Sequence, residues 1–347
     1  MVLRAVGDAL QRRWWSPRLG PVTAALLPLS ALYAALAAWQ ARRQTARAWR
    51  APCPVLVVGN LVVGGAGKTP TVIALVRALQ AAGHRPGVVS RGYGRRAGGI
   101  VDVQPDTDGR VCGDEPLLIR RATGAPVVVA TRRVDAARHL LAGHPQVDLL
   151  IADDGLQHRA LARDAEVWVF DERGVGNGAL LPAGPLREVL PAHLPDHALV
   201  LYNAPAPSTP LPGPCARRRL AGAVALADWH AGKPMQPELL SQLRGRRLVA
   251  IAGIAAPQRF FRMLVEAGLD IDPTPLPDHA AFDAVPWPIG AADVVCTEKD
   301  AVKLDLRTIG ETRVWVVGLD FELPSELISA LCQRLAPPEP PCPSTTA

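Results

Sequence analysis

Paired cysteines are missing from this sequence of 347 residues. Its six cysteines are scattered along the chain and form no C-x-x-C pair. This spacing excludes the common zinc motifs, and a disulfide framework is not expected in a chain of this length. The cysteines indicate reduced thiols in a cytoplasmic compartment.

The sequence also lacks an excess of basic residues outside its N-terminal segment. The formal net charge is +6, but residues 1–50 hold eight arginines against one acid, Asp8, which leaves 30 basic and 31 acidic residues elsewhere. No stretch interleaves aromatic and basic residues in the way that stacks nucleic-acid bases. Nucleic acid is therefore not expected as a partner. Because the basic excess adjoins an apolar run, it indicates contact with anionic lipid.

The apolar run extends from Leu19 to Trp39 without a charged residue. About 20 apolar residues suffice to span a bilayer as a helix. However, Pro28 would kink such a helix, and the alanine-rich run from Ala34 to Ala38 is only mildly hydrophobic. We predict an N-terminal hydrophobic helix in a membrane-contact segment, residues 1–50. It either spans the bilayer, lies in the interface, or packs in the protein's own core.

The rest of the chain alternates short apolar runs with helix-length segments, a pattern typical of parallel sheets covered on both faces. The sequence predicts an α/β fold of two α/β/α lobes with mainly parallel sheets. Buried strands are expected at residues 54–59, 86–90, 126–130, 147–153, 166–170, 198–202, 247–253, 292–297 and 313–318. The predicted divisions are a first lobe at 51–203, a proline-rich linker at 204–219, a second lobe at 220–335 and a disordered tail at 336–347.

A glycine-rich loop between the first of these strands and a helix predicts a P-loop and an NTPase-like first lobe. Its residues are Val62, Val63, Gly64, Gly65, Ala66, Gly67, Lys68 and Thr69. In such a loop the backbone amides and the helix N-terminus bind phosphate oxygens, Lys68 reaches the outer phosphates, and Thr69 offers its hydroxyl to Mg²⁺. The strict P-loop pattern has glycine where this chain has Val62. ATP and Mg²⁺ are the expected cofactors.

Further acidic groups follow predicted strands or open predicted helices. Asp153 and Asp154 follow a buried strand, where a Mg²⁺-binding carboxylate is expected, although a plain turn is the alternative. Asp114 either caps a helix or takes part in catalysis. Asp278 and His279 form a surface pair or a base that accepts a hydroxyl proton. The segment 297–303 is either a charged helix start or functional.

These motifs together resemble the tetraacyldisaccharide 4′-kinase (lipid A 4′-kinase) family, in the family's order and over nearly the whole chain from residue 20 to about 320. The loop of that family also lacks the first glycine of the strict P-loop pattern, so Val62 is not a departure from the family. The resemblance rests on the segments 59–70, 90–94, 113–116, 153–158, 181–188, 253–254, 278–279 and 297–303.

The resemblance implies transfer of the γ-phosphate of ATP to the 4′-hydroxyl of a tetraacyldisaccharide 1-phosphate, which forms lipid IVA. It implies a place at the cytoplasmic face of the bacterial inner membrane, with a lipid substrate and no obligate protein partner.

The resemblance also implies roles for single residues. Asp114 and His279 would form the dyad that activates the sugar hydroxyl, and Ala280 stands where the family often has a second histidine. The implied Mg²⁺ ligands are Thr69, Asp153, Asp154 and Glu188. Arg91 and Arg187 are implied as phosphate contacts.

Two other functions are compatible with the P-loop. A membrane-docked, partner-regulated ATPase would have no small-molecule acceptor and would leave Asp114 and His279 without a role. A kinase for a soluble metabolite would leave the N-terminal segment unexplained.

Overall fold

The chain folds around two β-sheets, one of seven strands and one of five. The structure, a computed structural model, describes residue 7 and residues 10–278, 280, 282 and 284–335. Residues 10–14 are helical and precede the first labelled helix. His279 and the predicted disordered tail at 336–347 lie outside the described residues.

The first sheet has the strand order β3-β4-β2-β5-β1-β6-β7. Its strands are β1 (Val55–Gly59), β2 (Pro86–Ser90), β3 (Val101–Asp102), β4 (Val127–Val129), β5 (Leu149–Asp153), β6 (Ala165–Asp171) and β7 (Ala198–Asn203). All neighbours pair in parallel except β3, which runs antiparallel to β4. Every residue of β1, β2, β5 and β6 is buried, which explains their continuous apolar sequences.

The second sheet has the order β10-β9-β11-β12-β8. Its strands are β8 (Arg217–Ala225), β9 (Arg247–Ala252), β10 (Asp270–Pro275), β11 (Asp293–Thr297) and β12 (Arg313–Glu322). Only β8 is antiparallel to its neighbour, β12. Because β8 begins at Arg217, the sheet starts within the segment 204–219 suggested as a linker. The proposed domain boundaries stay a prediction.

Helices cover the sheets. They are α1 (Pro21–Ala25), α2 (Leu27–Thr45), α3 (Lys68–Ala81), α4 (Gly109–Cys112), α5 (Asp114–Thr123), α6 (Arg133–Gly143), α7 (Leu226–His230), α8 (Pro237–Gln242), α9 (Pro257–Glu266), α10 (Glu298–Ala301) and α11 (Ser325–Leu335). Although α11 follows the second sheet in sequence, its buried leucines Leu327, Leu331 and Leu335 join the core between the first sheet and α3.

The N-terminal helices dock on the first lobe through polar contacts. The helical run breaks at Leu26, so that Pro28 falls in the first turn of α2, where proline is tolerated. The hydroxyl of Ser30 donates to the carbonyl of Leu180 (2.9 Å), and that of Tyr33 to the carbonyl of Arg187 (3.0 Å). None of the helices in the described part of the chain is long and apolar enough to cross a membrane.

The predicted fold class, two lobes built on mainly parallel sheets, is confirmed. The strands that the sequence did not predict are β3, β8 and β10, all of them at sheet edges. These three strands lack a continuous run of buried apolar residues, and β10 contains no buried residue. The edge strand β7 is buried at five of its six residues, which is why its apolar sequence was recognised.

Candidate active site

The phosphate-binding loop joins the buried strand β1 to helix α3. Gly64 and Gly67 have φ angles of 89° and 86°, a region in which L side chains are strained. A Cβ at Gly67 would also lie 1.8 Å from Nδ2 of Asn203, so this position has no room for a side chain. Since α3 begins at Lys68, its free N-terminal amides and the positive end of its dipole adjoin the loop.

Three side chains hold consecutive carbonyl groups of this loop. The hydrogen bonds run from Asn60 Nδ2 to Gly64 O (3.2 Å), from Arg173 Nη2 to Gly65 O (2.7 Å) and from Asn203 Nδ2 to Ala66 O (2.9 Å). They fix the backbone before any ligand is bound, and sequence reasoning missed all three. Asn60 and Asn203 stand at the carboxyl ends of buried strands, the signal that identified Asp153. Arg173 carries no such signal.

Val62 occupies the position of the missing P-loop glycine and is buried in the core of the first lobe. It forms an antiparallel bridge with Leu186, and the amide of Val63 donates to the carbonyl of Pro185 (2.9 Å). The start of the loop is therefore tied to the segment that carries Arg187. The cleft is lined only from Gly65 onward, so a nucleotide-binding role for residues 62–64 stays a prediction.

Lys68 lies between the loop and the carboxylates at the end of β5. Its ammonium nitrogen is 3.6 Å from Oδ1 of Asp154 and donates a hydrogen bond to Oδ1 of Asn60 (3.3 Å). Its side chain is only 11% exposed. A phosphate bound in the loop would compete with Asp154 for this cation.

Asp153 ends β5 with its carboxyl group fully buried. Ser90 donates a hydrogen bond to Oδ2 (3.0 Å), whereas Oδ1 has no hydrogen-bond partner. Burial, reinforced by the negative charges of Glu115 and Asp154, raises the pKa of Asp153 to about 7. Buried polar atoms are rarely left unpaired, and an unpaired carboxylate oxygen fits a cation.

The pKa of Asp154, the next residue, is shifted in the opposite direction. Burial favours its neutral form, but Lys68 and Arg187 outweigh burial and lower the pKa of Asp154. Arg187 approaches its carboxylate to 3.2 Å and also donates to Gln157 (3.2 Å). The φ angle of Asp154 is 47°, an uncommon value for a residue other than glycine. Strained residues of this kind cluster at functional sites.

The four predicted magnesium ligands, Thr69, Asp153, Asp154 and Glu188, lie in different settings. Thr69 lies in the first turn of α3, beside the loop. Glu188 instead pairs with Arg159 at 2.5 Å, and no three His, Cys, Asp or Glu side chains of the described residues gather as a metal-binding group. Mg²⁺ keeps several waters and needs only one or two protein carboxylates beside phosphate. The side-chain chemistry of Asp153 and Thr69 suits that need, and the roles of all four residues as magnesium ligands stay predictions.

Asp114 opens helix α5 as its first residue. The N-cap position belongs to Gly113, with a φ angle of 94°, so the alternative in which Asp114 merely caps the helix is wrong. A Cβ at Gly113 would lie 3.2 Å from both Gly92 Cα and the Tyr93 carbonyl. Two motifs distant in sequence, at 90–94 and 113–116, therefore pack backbone against backbone. Arg91, in the first of these motifs, is exposed.

A cleft of about 480 Å³ separates the two lobes beside the phosphate loop. On one side it is lined by Gly65 to Thr69; on the other lie apolar side chains of α9 and β12, including Phe260, Met263 and Leu319. An apolar wall opposite a phosphate-binding loop suits a nucleotide base. Asp278 also lines the cleft. The Asp114–His279 dyad stays a prediction, because His279 lies outside the described residues.

A phosphate loop between a central strand and a helix, with paired carboxylates ending the adjacent strand, defines the chain as a P-loop nucleotide-binding protein. Comparison with known proteins narrows this class. A tetraacyldisaccharide 4′-kinase of Methylibium petroleiphilum is 55% identical over 97% of this chain and 96% of its own length. Another, of Leptothrix cholodnii, is 51% identical over 94% of this chain and 95% of its own.

The sequence model of the tetraacyldisaccharide-1-P 4′-kinase family, LpxK, matches residues 22–336. The crystal structure of LpxK from Aquifex aeolicus in complex with ATP superimposes with a TM-score of 0.73 at 25% identity. The alignment covers 90% of this chain and 99% of the Aquifex aeolicus chain. The chain therefore belongs to the tetraacyldisaccharide-1-P 4′-kinase family, and it is a kinase.

Proposed function

We propose that this kinase transfers the γ-phosphate of ATP to the 4′-hydroxyl of a tetraacyldisaccharide 1-phosphate at a membrane surface, and that Mg²⁺ takes part. The observation that carries the proposal is the interlobe cleft. It brings Lys68 of the phosphate loop and Glu115, the neighbour of Asp114, to one cavity. Family membership supports the identity of the acceptor.

On the nucleotide side, the chain supplies a preorganised anion site. The loop amides and the N-terminus of α3 bind phosphate oxygens, and Lys68 moves from Asp154 to the transferred phosphoryl group. Because the loop carbonyls are already held by side chains, little reorganisation is needed when charge develops in the transition state.

On the metal side, Asp153 and Thr69 would hold Mg²⁺. The ion supplies neutralisation of the charge that develops on the phosphates. The unpaired Oδ1 of Asp153 supports this role. The neighbouring Asp154 stays ionised beside Arg187 and maintains the position of that arginine.

On the acceptor side, Asp114 takes up the proton of the sugar hydroxyl together with His279. A group that accepts the proton of the attacking hydroxyl makes the hydroxyl oxygen a better nucleophile and so contributes to phosphoryl transfer. Asp114 is on the first lobe and His279 belongs to the second, so the reaction depends on how the lobes meet.

The N-terminal helices would seat the protein on the membrane. Their exposed apolar side chains are Val22, Leu27, Leu29, Leu32, Leu36 and Trp39. The opposite side of α2 is fixed to the segment that carries Arg187, so a surface-bound α2 would hold the cleft near acyl chains that stay in the bilayer. Arg42 and Arg43 in its last turn would attract anionic headgroups.

The first test is an assay with Mg²⁺-ATP and detergent-solubilised tetraacyldisaccharide 1-phosphate, with Lys68→Ala as the blank. We expect a product with one additional phosphate on the distal sugar. Bound ATP without that product would instead favour a partner-regulated ATPase, and transfer to soluble alcohols alone would favour a metabolite kinase.

The membrane part is tested separately with Leu32→Glu and Leu36→Glu, which change exposed side chains of α2. We expect both to reduce binding to anionic vesicles and turnover of vesicle-embedded substrate, with turnover in detergent kept. Ile289→Glu, a change at a fully exposed apolar residue of the second lobe, is the matched control. Equal vesicle binding by all three variants would refute docking through α2.

A further inference from the structure

The segment Thr297–Lys303 belongs to the second lobe, but its two lysines contact the first. The ammonium nitrogen of Lys299 is 3.0 Å from Oε1 of Glu115 and 3.2 Å from Oδ1 of Asp278. Glu115 directly follows Asp114, and Asp278 directly precedes His279. One cation thus joins the sequence neighbours of both members of the proposed dyad.

Lys303 makes the corresponding contact to the dyad carboxylate itself. Its ammonium nitrogen is 3.5 Å from Oδ2 of Asp114 and 3.8 Å from Oδ1 of Asp300, with only 7% of its side chain exposed. Lys299 lies in α10, whereas Lys303 follows the end of that helix at Ala301 by two residues. Both point across the interface between the lobes.

The start of α10 is firmly fixed within the second lobe. The amide of Asp300 donates to the Thr297 hydroxyl (3.2 Å), which in turn donates to the Asp300 carboxylate (2.7 Å). That buried carboxylate accepts a further hydrogen bond from the amide of Gly253, at the end of β9 (3.1 Å). Because these hydrogen bonds tie the start of α10 to the ends of β9 and β11, the second sheet sets the position of Lys299.

Lys299 keeps its charge in this setting. Burial opposes the charged form, but Glu115 and Asp278 outweigh burial and raise the pKa of Lys299. With its side chain only 15% exposed, loss of the ammonium group would leave two partly buried carboxylates facing each other without compensation. Their repulsion would push the turn at Asp114 away from the segment at Asp278.

We propose that Lys299 is an interlobe positioning residue that sets the separation of the Asp114 turn from the Asp278–His279 segment, while Lys303 orients the Asp114 carboxylate. The inference rests on the proposed function, in that it takes Asp114 and His279 as the proton acceptor. It assigns to the segment 297–303 a role in alignment rather than in nucleotide binding.

Lys299→Met tests the proposal in the detergent assay. We expect kcat to fall about 10- to 100-fold, since misplacement by about 1 Å costs a comparable factor, with KM for ATP within about twofold of wild type. Lys299→Arg keeps the charge and should recover part of the loss. Lys233→Met, which removes the exposed pair between Lys233 and Asp228 elsewhere in the second lobe, should leave kcat unchanged.

The decisive comparison is made in an Asp114→Ala background. A positioning residue has nothing left to align there, so the added Lys299→Met should cause little further loss. A lysine that binds phosphate would still reduce turnover by its full factor, and a raised KM for ATP with unchanged kcat would overturn the proposal in the same way. If Lys299→Met fails to fold, Glu115→Gln, which removes the first-lobe partner of Lys299, carries the same comparison.

The outcomes distinguish failure of the proposed function from failure of the positioning role of Lys299. Wild-type protein without acceptor phosphorylation would refute the proposed function. An active wild type whose turnover is insensitive to Lys299→Met would refute only the positioning role.

Discussion

The two lobes hold their functional groups in different ways. In the first lobe, β1 and β5 are buried at every residue, and the loop and carboxylates that follow them are fixed by hydrogen bonds within the same lobe. In the second lobe, the edge strand β10 has no buried residue, and the segment that follows it is held by Lys299, which pairs with the first lobe as well. The proposed nucleotide half of the site is therefore preorganised, whereas the proposed acceptor half depends on contacts between the lobes.

The strongest test of the first half of this comparison is Lys68→Ala. We expect turnover to fall about 10³-fold, because the change removes a cation where negative charge develops in the transition state. Steady-state kinetics in detergent measures the loss, and Lys233→Ala is the control for removal of a lysine elsewhere. Turnover near that of wild type would remove Lys68 from the site.

The second half is tested by Asp114→Ala, His279→Ala and the double variant. Each single change should lower kcat about 10²- to 10³-fold, in the range of general base catalysis. The double variant should be little worse than either, because two members of one dyad act as a unit. Losses that multiply would contradict a shared proton path and would leave Asp114 and His279 with separate roles.

Preorganisation of the phosphate loop is tested by Gly67→Ala against Gly83→Ala. Both glycines have positive φ angles, 86° and 92°, and each substitution should cost about 1 kcal/mol for this backbone conformation. Only at Gly67 would the new methyl group also meet the amide of Asn203; at Gly83 no atom lies within 4 Å.

Gly67→Ala should therefore lower the free energy of unfolding by more than Gly83→Ala and should also weaken ATP binding. Chemical denaturation and calorimetric titration measure the two effects. Equal changes in both variants would mean that the contact between Gly67 and Asn203 does not constrain the loop.

The smallest expected effect concerns the charge state of His158, four residues after Asp154. Burial, reinforced by nearby arginines such as Arg133, lowers the pKa of His158 to about 4, below the ordinary value of about 6.5. Between about pH 4 and pH 6.5, His158 binds a proton more readily in the unfolded chain than in the folded one. The contribution of His158 to the free energy of unfolding is therefore lost as the pH falls from about 6.5 to 4.

His158→Gln should flatten the dependence of Tm on pH in this window. His193→Gln, at an exposed histidine, should leave it as in wild type. If the wild type and His158→Gln give parallel curves, burial of His158 does not contribute to acid sensitivity.

Much of the first lobe could be predicted from local patterns. The run from Leu149 to Asp153 reads as a buried strand with acids at its end. Gly64 and Gly67, before Lys68, have positive φ angles that favour glycine. The same rule would have found Asn203, at the end of β7. By contrast, β8 and β10 escaped prediction because much of each strand is open to solvent and its sequence is not continuously apolar.

The fold class, the phosphate loop and the family could be predicted from the chain's residues, because these features depend on short-range spacing and continuous apolar runs. Which groups meet depends instead on the packing of the folded chain. That packing buried Val62 against Leu186, paired Glu188 with Arg159, and carried Lys299 to Glu115, 184 residues earlier in the chain. Contacts of this kind depend on how separate strands and helices stack, and no local pattern of side chains encodes that geometry.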